Sequence, residues 1–209
     1  MMKLFDEPIP SNNLLPYDGI VEYYGVVFGN PEVYYKSLIE EINWQHDQAL
    51  IFGKLITTKR KVAWHGDEPF EYKYSGIEKI ASPWNSTLLH LKQRIEQLSG
   101  DSYNSCLLNL YHDGSEGMSW HSDAERDLKK QGSIASVTFG APRKFSFKHK
   151  YSKQRIDILL EDGSLLIMKG TTQDYWLHQL PPTTKVSSPR INLTFRTIEN
   201  SNKLSKNNK

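Results

Sequence analysis

The sequence predicts an α+β protein whose core is a double-sheet jelly roll with N-terminal helices packed on one sheet. Three observations carry this expectation. Seven short alternating runs follow residue 100, separated by turn signals. Two helical segments precede them. The 209 residues, 38% hydrophobic, 24% charged and 11% aromatic, suffice for one core with an elaboration but not for two large domains.

The first helix begins after Asn30-Pro31 and runs to about Asn43. The second runs from Ser82 to about Leu98, with Ser82 as cap and Pro83 at the first helical position, where a missing N–H costs nothing. Leu88, Leu91, Ile95 and Leu98 share one of its faces, and Gly100 supplies the stop. The strand candidates are Ser105–Tyr111, Ile134–Gly140, Lys144–His149, Arg155–Leu160, Ser164–Lys169, Tyr175–Leu180 and Arg190–Thr197. Gly140-Ala141-Pro142, Asp162-Gly163 and Pro181-Pro182 punctuate them. Both ends read as frayed, at Ser11–Pro16 and Glu199–Lys209. No repeat, flexible linker or membrane-spanning run is evident, and the first ten residues lack the apolar run of an export signal. Cys106 is the single cysteine, which excludes an intrachain disulfide and makes a reducing, intracellular setting the default.

The net charge of +2 hides an asymmetry. Residues 1–50 hold two basic and eight acidic side chains, whereas residues 51–209 hold twenty-four and sixteen. Arg143 to Arg155 contains six basic residues and no acidic one, which fits either a polyanion-binding surface or a solvated hairpin face.

His121-Ser122-Asp123 puts an imidazole and a carboxylate two residues apart, on one side of an extended segment. His178, inside a late strand, is the natural third ligand, and two histidines with one carboxylate form the facial arrangement of non-haem Fe(II) oxygenases. His65-Gly66-Asp67 has the same spacing but reads as a loop with no strand leading in. Alternation in Arg190–Arg196 puts Arg190, Asn192, Thr194 and Arg196 on one face and Ile191, Leu193 and Phe195 on the other. A polar row with two arginines suits a solvent-facing strand, or a buried one that meets a dicarboxylate. Asn109 and Tyr111 likewise share a face.

Together, Asn109-x-Tyr111, His121-x-Asp123, the distant His178 and Arg190-x-Asn192-x-Thr194-Phe195-Arg196 resemble the AlkB-type Fe(II)/2-oxoglutarate dioxygenases. Ile134–Gly140, Phe147–Lys150 and Gly163–Met168 extend the resemblance over roughly residues 50–198, and it is similar to the branch that repairs alkylated bases in double-stranded DNA. The resemblance implies a double-stranded β-helix core, Fe(II) held by His121, Asp123 and His178, and 2-oxoglutarate held by Asn109, Tyr111, Arg190, Asn192, Thr194 and Arg196. It implies oxidative dealkylation of 1-methyladenine, 3-methylcytosine and etheno adducts, consuming O2 and 2-oxoglutarate and releasing succinate, CO2 and formaldehyde.

Such a base must leave the duplex stack to be reached. Ile51-Phe52-Gly53-Lys54 resembles the family's duplex-invading hairpin with Phe52 as wedge, and Tyr72-Lys73-Tyr74-Ser75-Gly76 its base-pocket hairpin, with Trp64 nearby. Lys59, Arg60, Lys61, Arg143, Lys148 and Lys150 are expected to contact phosphates. The position after the metal carboxylate, often acidic in this branch, is Ala124, which leaves Glu125 as the nearest acid at the base. On this reading residues 1–50 cap the core, 51–100 carry the nucleotide-recognition hairpins and a supporting helix, 101–198 form the jelly roll and 199–209 a tail. The expected protein is a monomer acting on duplex DNA, cytoplasmic if bacterial and nuclear if eukaryotic. The same chemistry on RNA, a noncatalytic cupin-like metal module and a zinc hydrolase are the competing readings.

Overall fold

The computed structural model describes residues 8–51, 54–74 and 77–199. In chain order its elements are β1 (Ile20–Val26), α1 (Pro31–Glu41), β2 (Gln45–Ile51), β3 (Lys54–Gly66), β4 (Glu71–Tyr74), β5 (Ile77–Ile80), α2 (Ser86–Ser99), β6 (Ser105–Tyr111), β7 (Met118–His121), β8 (Ile134–Gly140), β9 (Arg143–His149), β10 (Arg155–Leu160), β11 (Ser164–Lys169), the single turn α3 (Thr172–Tyr175), β12 (Trp176–Leu180) and β13 (Arg190–Arg196). The major sheet has the order β1-β11-β8-β13-β6-β3-β2, the minor sheet β10-β9-β12-β7, and β4 pairs with β5 in a separate ribbon.

The two faces of the major sheet meet different partners. Cys106, Leu108, Val137, Phe139, Ile191, Leu193 and Phe195 form one core with Leu38 of α1 and Leu88, Leu91 and Ile95 of α2. On the opposite face Val21, Ile134, Leu166 and Met168 join Phe147, Leu160 and Trp176 of the minor sheet in a second core. This is the jelly roll with helices on one sheet. The alternation in β13 explains the sidedness, because its apolar residues feed the helix-side core and its polar residues turn toward the minor sheet.

Several boundaries differ from the sequence expectation. Helix α2 starts at Ser86, capped by Asn85, whose Oδ1 accepts the Leu88 N–H at 2.8 Å, and Gly100 ends it at φ 70°. Ser82 is not the cap, because its backbone bonds to β3: its N–H donates to the Trp64 carbonyl and its carbonyl accepts from the Gly66 N–H. The lead-in at Ser11–Pro16 is not frayed. Ser11 N–H donates to the Tyr23 carbonyl, Leu14 N–H to Val21, and Leu15 is buried in the inter-sheet core. A division near residues 50 and 100 is no boundary in the sheet, since β1, β2 and β3 belong to the same seven-stranded sheet as β6, β8, β11 and β13. His65 and Gly66 end a thirteen-residue strand rather than lying in a loop. His65 is buried with Nδ1 on the Pro83 carbonyl at 2.7 Å, and burial lowers its pKa, as fits a neutral packing side chain.

Arg143 is the largest correction. Its side chain is not on a phosphate-facing surface: the residue is 2% exposed, and its guanidinium donates to the carbonyls of Asp113, Gly114, Glu116 and Pro181 at 2.9–3.3 Å. It therefore staples the loop entering β7 to the chain leaving β12. Gly114 and Gly117 permit the close approach, since a Cβ would lie 2.4 Å from the Thr183 carbonyl and 2.4 Å from the Leu180 carbonyl respectively.

Two outcomes follow from this packing. Asn85→Ala is expected to cost about 1 kcal/mol in chemical denaturation, with Asn85→Ser close to neutral. Arg143→Met is expected to lose about 3 kcal/mol or more, because four buried carbonyls lose a charged donor. A surface phosphate contact would instead leave the denaturation midpoint unchanged and weaken only polyanion binding.

Candidate metal and co-substrate site

Strands β7 and β12 pair with His121 opposite His178, which sets the two imidazoles side by side at 4.3 Å between ring centroids. Asp123 follows two residues after β7. One ligand atom from each of the three lies within 4.8 Å of the others, and they form the sole such group of histidine, cysteine and acidic residues among the described residues. His121 Nδ1 lies 2.7 Å from the Ser119 carbonyl and donates to it, so Nε2 is the ring nitrogen turned to the metal group. Burial pulls the His178 pKa down to about 4 against the opposing pull of Asp123, and the ring is neutral at physiological pH. Burial alone would raise the Asp123 pKa. The adjoining Arg196 guanidinium outweighs it, and the carboxyl lies below its usual range and is ionised. Two imidazoles and a carboxylate at this spacing fit an Fe(II) ion with open positions.

The polar row of β13 is buried rather than solvent-facing. Arg196 contacts Asp123 Oδ1 at 3.0 Å and Glu125 Oε1 at 3.6 Å; burial would lower its pKa, but these acids hold it above the ordinary value. Arg190 is 2% exposed, and burial lowers its pKa to about 10. Its guanidinium donates to Thr138 Oγ1 at 2.9 Å and Asn192 Oδ1 at 2.6 Å, both neutral, and stands 5.6 Å from the Tyr111 ring. Among the described residues no carboxylate pairs with it, and the buried Nε atoms of Arg190 and Arg196 have no hydrogen-bond partner. A buried guanidinium without a counter-charge is costly, so Arg190 fits an anionic co-substrate. Cross-strand register assembles the rest: Arg190 faces Tyr111 and Asn192 faces Asn109, while Asn192 Nδ2 donates to Thr194 Oγ1 at 3.0 Å.

A cavity of about 300 Å³ opens beside His121, Asp123 and Arg196. Trp64, Glu125 and Asn109 line it. Asp47, Val62, Phe70, Glu71, Met118 and Asp127 also line it, and sequence reading did not find them. They come from separate elements and carry no shared spacing. Arg60 is a further correction. Alternation turns it into this cavity with Val62 and Trp64, and it forms an ion pair with Asp47 there instead of facing a phosphate. Lys150 is likewise engaged internally, donating to the Gln173 carbonyl at 2.9 Å and to Ser122 Oγ at 3.4 Å. Lys148 lies 4.3 Å over the Trp120 ring, Lys54 and Lys59 are exposed and Lys61 partly so. Tyr72, Lys73 and Tyr74 form β4, paired to β5. Phe52 and Gly53 lie outside the described residues, between the paired positions Ile51 and Lys54.

Residues 34–196 match the 2OG-Fe(II) oxygenase superfamily. The chain is similar to the DNA oxidative demethylase ALKBH2 of Bos taurus, 36% identical over 188 residues that cover 84% of this chain and 68% of that one. It is 35% identical to the Homo sapiens protein of the same name over 202 residues, covering 90% and 77%. To the alpha-ketoglutarate-dependent dioxygenase alkB homolog 3 of Homo sapiens it is 36% identical over 173 residues, covering 78% and 60%. The solved structure of OsALKBH1 shares the fold at a TM-score of 0.56 and 14% identity, covering 88% of this chain and 98% of that one. No helix among the described residues is long and apolar enough to cross a membrane. The sequence match, the His-Asp-His group and the arginine-lined inner face together make this chain a member of the 2OG-Fe(II) oxygenase superfamily, of AlkB type, a dioxygenase that uses Fe(II), 2-oxoglutarate and O2.

Proposed function

We propose that this protein repairs DNA by oxidative dealkylation of N-alkylated bases, 1-methyladenine and 3-methylcytosine foremost, with etheno adducts as a further class. The observation that carries the reading is the juxtaposition of the metal group with a cavity sized for a single base, walled by Trp64 and Phe70 and bearing Glu125. The 35–37% identity to proteins named for DNA oxidative demethylation and for 2-oxoglutarate-dependent dioxygenase activity supports it.

In this reading His121, Asp123 and His178 hold Fe(II), which with bound 2-oxoglutarate supplies the oxidation of the N-alkyl carbon by O2. The chain's own work is orientation. Arg190 and Arg196 receive the co-substrate's carboxylates, and Asn109, Tyr111, Asn192 and Thr194 complete its hydrogen bonds. The flipped base stacks against Trp64, while Glu125 and the other cavity carboxylates favour the positive charge of a methylated ring. Phe52, with Gly53 and Lys54 beside it in sequence, fills the gap left in the stack, and Tyr72, Lys73 and Tyr74 serve the extruded base. Lys59, Lys61 and Lys148 serve the phosphate backbone, a contribution that weakens with salt. The protein acts as a monomer inside the cell.

Arg190→Met is expected to weaken 2-oxoglutarate binding roughly 100-fold in anaerobic titration while leaving DNA affinity near wild type, because a charged bidentate contact to a carboxylate is lost. Equal co-substrate affinity in the two proteins would remove the assignment. Formaldehyde release is expected to be greater from methylated duplex DNA than from methylated RNA of the same sequence. An excess on RNA would shift the substrate to that polymer.

A further inference from the structure

Arg196 of β13 meets the Asp123 carboxylate at 3.0 Å, but the sheet leaves the Asp123 backbone without a strand partner. Asp123 lies two residues beyond the end of β7, at the start of the irregular run that leads to β8, so no strand register holds its backbone. The contact that does is from α3: the Asp123 N–H donates to Gln173 Oε1 at 2.9 Å. The same carboxamide donates through Nε2 to Met168 Sδ at 3.4 Å, which fixes which end faces Asp123. Lys150 Nζ adds a second tie, bridging the Gln173 carbonyl and Ser122 Oγ.

The turn that carries Gln173 is itself anchored. Thr172 Oγ1 lies 2.9 Å from the Ile20 N–H, which donates to it, and donates to the Lys169 carbonyl at 2.6 Å. It sits so close to β1 that a Cβ at Gly19 would lie 2.8 Å from it. A continuous line of contacts thus runs from β1 through Thr172 and Gln173 to the backbone of the one acidic residue in the metal group.

From this geometry we infer that Gln173 is a positioning residue for the metal carboxylate, with Lys150 as its brace. The inference rests on the reading of His121, Asp123 and His178 as metal ligands. Removing the Gln173 acceptor frees the Asp123 peptide to rotate, and its carboxylate then meets the metal less often in the right orientation. Partners that orient a metal ligand are typically worth 10–100-fold in affinity or activity.

The test is titration of the full chain with Co(II), followed by its visible absorption, on wild type, Gln173→Leu, Gln173→Glu and His178→Ala. Gln173→Leu is expected to lower Co(II) affinity about tenfold and to alter the absorption band, while Gln173→Glu, which keeps an acceptor for the Asp123 N–H, recovers most of the loss. A purely structural role would move the melting temperature of the metal-free chain and leave the affinity alone. Co(II) affinity of Gln173→Leu within about twofold of wild type would overturn the inference. Should that variant fail to fold, Lys150→Met is the substitute, with the same expected direction and the same overturning result. Unchanged Co(II) binding by His178→Ala would instead overturn the ligand assignment, so the two failures are separable.

Discussion

The constraint on which this structure turns is charge inside a jelly roll. Strand β13 alternates, and its even positions must face the space between the sheets once Ile191, Leu193 and Phe195 are committed to the helix-side core. Two guanidiniums are thereby carried into a protein interior, where an unpaired charge is costly. Arg196 meets Asp123 and Glu125, but Arg190 meets only neutral oxygens. In the function proposed above, an anionic co-substrate would offset the charge of Arg190, and the metal group stands where the paired end of the row meets Asp123.

The helices make that arrangement possible. By covering the outer face of the major sheet, α1 and α2 supply Leu38, Leu88, Leu91 and Ile95 to a dense apolar core that does not involve the site. The second core, around Phe147 and Trp176, fills the space between the sheets. Stability and chemistry are thus divided between two faces of one sheet.

Basic residues serve three different purposes here, although they look alike in the sequence. Arg143 is a buried staple across the loops flanking β7 and β12, Arg60 is half of a cavity ion pair, and Lys150 braces the turn next to Asp123. A guanidinium suits the first task because its fork can serve several carbonyls at once. The apparent polyanion patch at residues 143–155 is consequently smaller than its charge count implies.

Much of this was legible beforehand, for a physical reason. Period-two alternation in β6, β8, β10, β11 and β13 is local, and so are the spacing of His121 and Asp123 and the cap glycine of α2. The sequence by itself therefore determined most core strands after residue 100, the candidate metal group and the polar face of β13. Strands β1, β2, β3 and β7 escaped because their residues are mixed in character, and their pairing depends on partners far along the chain. Only the tertiary structure decided which cations are buried, that Asp47 and Met118 line the cavity beside the metal group, and that Gln173 reaches Asp123 from fifty positions away. Those contacts join residues with no shared periodicity, and a side chain's partner is set by the packing of whole sheets rather than by its neighbours in sequence.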